Sequence, residues 1–310
     1  MPFFLAIDAG GTKADYVLAD ETRTLARVRS GTIKRMRADA AVAAHNLDEA
    51  LGELERQSGI NLHAVERTCV GTAGETVRLV TDWLQQEISA RVGGGLLILG
   101  DVEIALDAAF PGRSGILVLA GTGSNVAGRD PQGRILTAGG WGPVLADQGS
   151  GHRIGLQALR ALFHAMDGRV ESSLLPAVLE FWKLGSIPEL VAFSNGLPAP
   201  DFSELVRVVL TCAEQGDGVA QSVLDEQGRE LADLVGLLIH RMRSSAHDRG
   251  FTPRLAFAGS IMEKVHRVRE ALIAEVSGEF PGVTAAEGVV DPVEGAMWRA
   301  RTGRGYTNVQ

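Results

Sequence analysis

Two apolar runs in this chain each end in a turn made of glycine and threonine. Residues 4–9 lead into Gly10-Gly11-Thr12, and residues 117–120 lead into Gly121-Thr122-Gly123. Such turns expose backbone N–H groups to an anion, and the missing Cβ lets the anion come close. A single glycine-rich turn is a weak signal. Two of them, about 111 residues apart, predict a nucleotide held between two related half-structures.

A carboxylate stands beside the first of these turns. Asp8 lies at the end of the first predicted strand, just before Gly10. Proteins usually hold Mg²⁺ through one or two carboxylates together with water and substrate phosphates. Asp8 is therefore the predicted contact for a hydrated Mg²⁺ ion beside the phosphates.

The bulk composition is that of a globular protein with an acidic balance. The chain has 310 residues, of which 45% are apolar and 22% charged, and this suits two domains of ordinary size or one large one. Its net charge of −8 argues against a nucleic-acid partner, because no basic stripe is present to neutralise phosphates.

Cysteine usage and the length of the apolar runs narrow the class of protein further. Cys69 and Cys212 lie far apart and neither belongs to a C-x-x-C pair, which excludes a cysteine-ligated zinc ribbon or iron–sulfur cluster within one chain. No apolar run reaches the roughly 18 residues of a membrane span, and no charged leader precedes the first strand. We expect a cytoplasmic protein with no membrane partner.

Hydrophobic periodicity predicts one order of elements, β-β-β-α-β-α-β-α, occurring twice. The first half has predicted strands at 3–8, 14–19, 24–29, 67–71 and 96–100, and helices at 39–57, at 76–90 and from 101. The second half has predicted strands at 116–120, 124–128, 134–138 and 254–259, and helices at 151–166, 171–182, 201–213, 217–244, after 260 and at 292–301. Leu237 is expected on the apolar side of the long helix. The turn cluster from Pro111 to Gly115 marks the domain boundary.

This repeated unit, opened each time by a glycine turn, resembles the actin/sugar-kinase/heat-shock ATPase superfamily over nearly the whole chain. Within it, Gly139-Gly-Trp-Gly-Pro143 followed by Ala146-Asp-Gln-Gly-Ser-Gly151 is similar to the signature of the N-acetylglucosamine kinases, which share a family with the BadF/BcrA-type ATPases. The stretches from Leu119 to Asn125 and from Asp291 to Ala296 are similar to that group as well.

The implied fold is α/β, with two ribonuclease-H-like (actin-like ATPase) domains and an interdomain nucleotide cleft. The first domain would comprise residues 1–113 and the second residues 114–291, with a C-terminal helix at about 292–310 packing back on the first. The implied activity is ATP-dependent phosphorylation of an amino sugar, N-acetylglucosamine or a related hexosamine, with Mg²⁺. A homodimer is a family expectation that no residue here demands.

Asp101 is the predicted catalytic residue. It follows a buried strand and opens a helix, which is where α/β folds present residues to a ligand. The resemblance puts the catalytic base of the amino-sugar kinases at this carboxylate, which would accept the proton of the sugar hydroxyl as that oxygen attacks the γ-phosphate of ATP. The alternative is an ordinary N-cap aspartate. Asp107, on another face of the helix, is a weaker candidate.

The resemblance also implies the nucleotide contacts. The β- and γ-phosphates would be lined by residues of both glycine turns: Gly10, Gly11, Thr12, Lys13, Thr122 and Gly123. Gly259 and Ser260 are similar to the adenosine turn of the superfamily, where glycine lets the backbone lie against the base. A solvated Lys13 and a strand-to-helix Gly259 without a ligand are the alternatives.

Five positions match the sugar contacts of the family: Ser124, Asn125, Trp141, Gly142 and Asp147. Sugar hydroxyls need paired donors and acceptors in a fixed geometry, which Asp and Asn side chains supply. Trp141 has a second interpretation as a packing anchor. Asp147 has a second interpretation as the cap of the helix that begins near Ser150.

One stretch departs from the family pattern. Amino-sugar kinases usually carry an Asn after a Gly-Pro-x stretch, whereas this chain has Gly31-Thr-Ile-Lys34. If Lys34 lies in the cleft, the substrate would be an acidic or phosphorylated sugar derivative. Glu75, near the expected amino-group pocket, indicates instead a free ammonium, as in glucosamine. The sequence leaves both readings open.

Two other functions are compatible with the same fold. One is an ATPase that drives a partner, like the activators of 2-hydroxyacyl-CoA dehydratases, but those need a cysteine-ligated iron–sulfur cluster that Cys69 and Cys212 do not resemble. The other is a sugar sensor with poor turnover, which Asp8, Asp101 and the two phosphate turns count against. The zinc-containing bacterial glucokinases are excluded by the missing cysteine cluster.

Overall fold

The chain divides into two compact units. The structure is a computed structural model, and it describes residues 1–246, 248 and 250–305. Unit 1 comprises Met1–Arg113 together with the segment from Val290 onward, and unit 2 comprises Ser114–Val289. Each unit is built on one five-stranded sheet.

Unit 1 begins with three antiparallel strands and continues with parallel ones. Its first elements are β1 (Phe3–Ala9), β2 (Lys13–Ala19), β3 (Thr24–Gly31), α1 (Ala40–Ser58), β4 (Val65–Thr72), α2 (Arg78–Ser89), β5 (Gly95–Leu99) and α3 (Asp101–Ala109). The sheet has the order β3-β2-β1-β4-β5, in which β1, β4 and β5 run parallel.

Unit 2 has a sheet of the same topology. Its strands are β6 (Gly115–Ala120), β7 (Ser124–Arg129), β8 (Ile135–Ala138), β9 (Arg254–Ala258) and β10 (Thr284–Val289). Its helices are α4 (Gly151–Asp167), α5 (Leu174–Trp182), α6 (Ile187–Ser194), α7 (Val206–Glu214), α8 (Gly218–Ala246), α9 (Ser260–Lys264) and α10 (His266–Glu279). The order β8-β7-β6-β9-β10 repeats that of unit 1 strand for strand. The predicted α/β fold with two related sheets is confirmed.

This topology determines where ligands can be bound within each unit. The turn after the first strand and the ends of the parallel strands lie at one edge of the sheet, because parallel strands end on the same side. Ligands of open α/β sheets bind at this edge. In unit 1 the edge is formed by the ends of β1, β4 and β5, at Ala9, Thr72 and Leu99.

Local sequence accounts for the ends of α1. Asp39 occupies the N-cap, where its carboxylate accepts a hydrogen bond from the Val42 N–H at 2.9 Å. Gly59 ends the helix in the left-handed region, at φ +70°, which glycine adopts without a Cβ penalty. Leu47 and Leu54 are buried on the inner face of this helix.

The final helix, α11 (Pro292–Thr302), belongs to unit 1 and packs against α3. A Cβ at Gly295 would lie 1.8 Å from the carbonyl oxygen of Ile104, so this close approach requires glycine. Arg299 binds two acidic residues of α3, donating to Asp107 at 2.5 Å and to Glu103 at 2.7 Å. Asp107, the weaker catalytic candidate, is thus part of this buried ion pair. Residues 306–310 of the predicted final helix lie outside the described residues.

The predicted elements differ from the structure in a few places. The strand β10 and the helix α6 are absent from the sequence prediction. The helix predicted at 201–213 begins with a short 3₁₀ turn before α7. The placement of Leu237 on the apolar side of α8 is wrong, since this residue is 56% exposed.

The two cysteines behave as core residues. Cys69 and Cys212 are buried and form no disulfide. Burial raises the pKa of the Cys69 thiol, which makes it unreactive. Among the described residues, no helix combines the length and the apolar character needed to cross a bilayer.

Candidate active site

Asp8 occupies the ligand-binding edge of the sheet in unit 1. It is the penultimate residue of β1, opposite Asp15 on β2 and Gly71 on β4. The neighbouring Asp15 has an arginine partner, because its carboxylate accepts a hydrogen bond from the Arg29 guanidinium at 2.7 Å. Asp8 itself forms no ion pair with a basic side chain in the described part of the chain.

The electrostatic surroundings of Asp8 favour its binding a cation. Burial raises the pKa of Asp8 to about 7, and repulsion from Asp101, Asp15 and Asp291 adds to the rise, while Lys13 lowers it. A carboxylate that is half-buried without a cation is costly to ionise. A divalent ion placed at Asp8 would remove that cost.

Asp101 lies at the same edge, immediately after β5. Gly100 occupies the N-cap of α3 and Asp101 is the first helical residue, so the interpretation of Asp101 as an N-cap is wrong. Its carboxylate still accepts one hydrogen bond, from the Val102 N–H at 2.8 Å. Burial raises the pKa of Asp101, and the Glu75 carboxylate adds to the rise. A raised pKa makes this carboxylate a stronger base.

Two charged residues whose place the sequence left open act on Asp101 electrostatically. Lys34 lowers the pKa of Asp101 by its positive charge and Glu75 raises it by its negative charge. A Cβ on Gly100 would be 3.3 Å from the Glu75 carboxylate. Glu75 therefore lies beside the residue that precedes Asp101, and Lys34 is near enough to act on Asp101 through its charge.

The first glycine turn is anchored to the loop that carries Lys34. Thr32 donates its hydroxyl to the carbonyl of Gly10 at 2.7 Å. Gly11 faces open space where a Cβ would stand, and Thr12 and Lys13 are exposed. Lys13 is solvated, which was the alternative to a phosphate contact in the sequence analysis. Its charge nevertheless lowers the pKa of Asp8.

The second glycine turn, in unit 2, is held by a buried carboxylate. Asp147 is 4% exposed and accepts from the backbone N–H of Ser124 at 2.8 Å and from its hydroxyl at 3.4 Å. The carbonyl of Gly121 accepts from the N–H of Gly151 at 2.7 Å. Ser150 provides the N-cap of α4, so Asp147 fixes the glycine turn and does not cap that helix.

A cavity of about 480 Å³ opens beside this second turn. It brings Thr122 of the turn together with Ser260 at the start of α9. The other lining side chains include two cations and an aromatic ring, which are Arg207, Lys264 and Phe181. The Arg207 guanidinium lies 5.8 Å from the centre of the Phe181 ring. Glu204 also lines this cavity, so its walls carry charges of both signs beside one aromatic ring.

The backbone conformation and packing at residue 259 require glycine even without a ligand. Its φ is +92°, and a Cβ there would lie 2.4 Å from the carbonyl oxygen of Ala120. The close packing of this turn on β6 is enough to require glycine. The neighbouring Ser260 is the residue that faces the cavity.

The predicted sugar contacts form one cluster in unit 2. A Cβ on Gly140 would be 3.0 Å from the Asn125 side chain, whose buried Oδ1 has no hydrogen-bond partner among the described residues. Trp141 is 73% exposed, which contradicts its interpretation as a packing anchor. Gly142 follows with φ +85° and opens a tight turn. An exposed ring and an unpaired amide oxygen are groups that a sugar can engage.

Several residues of the site were missed by sequence reasoning. Thr32 is one, although its place just before Lys34 could have suggested a support for that loop. Phe181, Arg207 and Lys264 come from helices that are distant in sequence. No local pattern marks these three residues.

Comparison with known proteins finds relatives that are named as amino-sugar kinases. A curated relative from Clostridium acetobutylicum, named N-acetylmuramic acid/N-acetylglucosamine kinase, is 32% identical over 246 residues, which cover 74% of this chain and 77% of the relative. The N-acetyl-D-glucosamine kinase of Dictyostelium discoideum is 24% identical over 94% of this chain and 96% of its own. A crystal structure from Chromobacterium violaceum, provisionally named an N-acetylglucosamine kinase, superimposes with a TM-score of 0.71 at 24% identity, covering 96% and 98% of the two chains.

The class of protein follows from the two sheets of matching topology, the two glycine turns and these relatives. It is an ATP-dependent phosphotransferase of the sugar-kinase fold. The sequence model of the BadF/BadG/BcrA/BcrD ATPase family matches residues 5–300, nearly the whole chain. The chain belongs to this family.

Proposed function

We propose that this protein transfers the γ-phosphate of ATP to a hydroxyl of an amino sugar, N-acetylglucosamine or a related hexosamine. The observation that carries the proposal is the pair of half-buried carboxylates Asp101 and Asp8 at one edge of the unit 1 sheet, each with a raised pKa. The printed names of the curated relatives support the class of acceptor.

Asp101 is the proposed general base. Its carboxylate accepts the proton of the sugar hydroxyl while that oxygen forms a bond to the γ-phosphorus, and the bond from the γ-phosphorus to the bridging oxygen of ADP breaks. Burial, which raises the pKa of Asp101, increases its affinity for this proton. A base kept partly from water also loses less free energy to solvent reorganisation.

Asp8 is the proposed protein contact of Mg²⁺. The residues fit this ion, because Asp8 has a half-buried carboxylate that lacks a basic partner within the described chain. The described residues contain no cluster of three or more His, Cys, Asp or Glu side chains that could hold a metal. A single carboxylate is the usual protein share when Mg²⁺ is also bound to phosphates and water. When bound, the ion would neutralise phosphate charge.

The nucleotide contacts are proposed from both glycine turns. The residues that would touch phosphates or the nucleoside are Gly10, Gly11, Thr12, Lys13, Thr122, Gly123, Gly259 and Ser260. The cavity lined by Thr122 and Ser260 supports this assignment in unit 2. In unit 1 the open face of Gly11 supports it.

The sugar contacts are proposed to be Ser124, Asn125, Trp141, Gly142 and Asp147. Asn125 supplies an amide oxygen that no described residue binds, and Trp141 supplies an exposed ring. Asp147 in addition holds the second turn in shape through the hydrogen bonds that it accepts from Ser124. We further propose that units 1 and 2 are the two ribonuclease-H-like domains, and that the protein is a cytoplasmic homodimer.

A coupled assay of ADP release with Mg-ATP tests the function against a panel of sugars. The panel holds N-acetylglucosamine, glucosamine, N-acetylmannosamine, glucose and acidic amino sugars. We expect turnover to depend on an amino sugar, and Asp101→Asn to lower kcat by about 10²–10⁴-fold, the usual contribution of a general base. Asp48→Asn, which alters an exposed carboxylate on α1, is the matched control. ADP release that needs no sugar would indicate a partner-driving ATPase, and full activity of Asp101→Asn would refute the base.

A further inference from the structure

One loop of unit 2 holds apolar side chains in solvent. The loop comprises residues 141–146, and we call it the flap. At its tip Val144 is 93% exposed and Leu145 is 79% exposed. Neighbouring apolar side chains that are exposed together usually mark a place where a ligand or another chain is contacted. The tip of the flap is therefore a candidate contact surface.

The two ends of the flap are fixed by packing and hydrogen bonds. Before the flap, a Cβ on Gly139 would be 2.9 Å from a methyl group of Leu234. After the flap, Asp147 is 4% exposed and anchors the second glycine turn. The N–H of Ala146 donates to the carbonyl of Gly142 at 3.0 Å, which closes the loop. The exposed tip is thus carried by an ordered base.

Two glycines at the start of the flap allow the tip to change its position. Gly140 and Gly142 flank Trp141 and adopt φ values of +74° and +85°. Glycine occupies positive and negative φ with similar ease. Rotation at these two residues can therefore move the tip while the base stays in place.

Two side-chain oxygens at the base of the flap lack donors. The Asn125 Oδ1 and the Gln148 Oε1 are buried, and neither has a hydrogen-bond partner within the described chain. A Cβ on Gly140 would be 3.3 Å from the Asn125 Oδ1, and a Cβ on Gly139 would be 3.9 Å from the Gln148 Oε1. A buried oxygen without a donor destabilises a protein. A ligand that brings two donor groups to this base would remove that cost.

We propose that the flap closes over the bound sugar, and that Gln148 and Asn125 each accept a hydrogen bond from a hydroxyl or N–H group of that sugar. Val144 and Leu145 then cover the sugar and keep water away from it. This inference rests on the proposed kinase function and deepens it. It makes Gln148 a further substrate-binding residue, and it makes the tip of the flap the element that favours sugar over water as the recipient of the phosphate.

The competing reaction is hydrolysis of ATP. In that reaction a water oxygen forms a bond to the γ-phosphorus, the bond to the bridging oxygen of ADP breaks, and inorganic phosphate is released. Inorganic phosphate and ADP, measured together in the presence of N-acetylglucosamine, give the fraction of turnover that goes to water. In the double variant Val144→Ser/Leu145→Ser this fraction should rise at least about fivefold, because the closed flap loses two apolar side chains. Leu197→Ser, which alters a leucine that is 97% exposed elsewhere in unit 2, should leave the fraction unchanged.

A fluorescent label on the tip reports closure without any turnover. Cys69 and Cys212 are buried, so Val144→Cys offers an accessible thiol to a polarity-sensitive label. When N-acetylglucosamine is added without ATP, we expect the emission of the label to shift to shorter wavelength. The same label on Leu197→Cys is the matched control and should not shift.

Gln148→Met tests the hydrogen bond at the base. Methionine has a similar length and no amide oxygen. We expect the KM for N-acetylglucosamine to rise at least about tenfold while the KM for ATP is kept, because one buried hydrogen bond to the sugar is lost. Gln148→Glu keeps an oxygen that accepts and should recover most of the affinity. An unaltered KM for the sugar in Gln148→Met would overturn the role of Gln148.

Two results would refute the flap while the kinase function stands. They are phosphorylation of the sugar with no shift of the tip label, and an unchanged hydrolysis fraction in the double variant. If that fraction is unchanged and the double variant has a lower mass in sedimentation than the wild-type protein, the tip is instead a contact between two copies of the chain. A sugar-dependent shift of the label without phosphorylation of any sugar would refute the proposed function and leave closure of the flap in place.

Discussion

Replacing Asp8 with asparagine should stabilise the protein at neutral pH and remove its Mg²⁺-dependent turnover. In the folded state the pKa of Asp8 is raised from 3.8 to about 7, with burial as the largest cause. Since one pKa unit corresponds to about 1.36 kcal/mol, the ionised carboxylate costs at most about 4 kcal/mol in the folded state. Asparagine has nearly the same shape and carries no charge.

The sign of the pH dependence follows from proton binding. Between pH 3.8 and about 7 the folded state holds a proton on Asp8 that the unfolded chain has lost. The free energy of unfolding of the wild-type protein therefore falls as the pH rises through this window. Asp8→Asn has no carboxyl group at this position and so does not lose stability in this way. The free energy of unfolding of the variant, relative to that of the wild-type protein, should therefore rise by about 2–4 kcal/mol between about pH 4 and about pH 8.

Urea unfolding at a series of pH values, in buffers with a chelator, measures this difference. Asp20→Asn provides a control of opposite sign, because hydrogen bonds from Thr22 and Arg23 lower the pKa of Asp20 to about 2. Asp20→Asn should be less stable than the wild-type protein at neutral pH, and this difference in stability should shrink as the pH falls toward 2. Adding Mg²⁺ together with ATP at about pH 8 should stabilise the wild-type protein more than Asp8→Asn. A difference between Asp8→Asn and wild type that does not change with pH would refute the reasoning.

Three further predictions concern other parts of the molecule. Glu75→Gln should shift the acid limb of the kcat/KM profile to lower pH, because Glu75 raises the pKa of Asp101; a limb that stays in place would remove Glu75 from the site. Gly295→Ala should lower the free energy of unfolding by about 1–3 kcal/mol in urea titrations, since its Cβ would lie 1.8 Å from the Ile104 carbonyl oxygen. An unaltered urea midpoint would contradict that packing. Lys264→Gln should raise the KM for ATP about threefold to tenfold in the coupled assay while the KM for the sugar is kept; the reverse pattern would assign the cavity to the sugar.

The sequence was sufficient for most of the fold because its strong signals are local. Asp39 and Gly59 mark the two ends of α1, and the glycine turns mark the ends of β1 and β6. The strand β10 was missed because its residues are at most half-buried and include Glu287 and Gly288, which weaken the strand pattern. Leu237 was misplaced because the sequence does not show which face of a long helix is covered.

The candidate site was predictable in part for the same reason. Asp8 and Asp101 stand at strand ends, where position alone suggests a ligand contact. Lys34 and Glu75 could not be placed, because each lies in a loop whose course depends on tertiary contacts such as Thr32 with Gly10. The side chains of Phe181 and Arg207 meet beside Thr122 through helix packing, which no short sequence pattern encodes.

The return of α11 to unit 1 has a consequence for the order of folding during synthesis. The core that joins Phe4, Ile104 and Met297 uses residues separated by most of the chain, whereas unit 2 is one continuous segment, Ser114–Val289. Unit 2 can therefore complete its core while unit 1 still lacks its last helix. We expect ribosome-bound chains that end before Pro292 to resist protease in unit 2 and to be cut in unit 1. Until α11 emerges, the apolar faces of β1 and α3 are the surfaces a chaperone would have to cover.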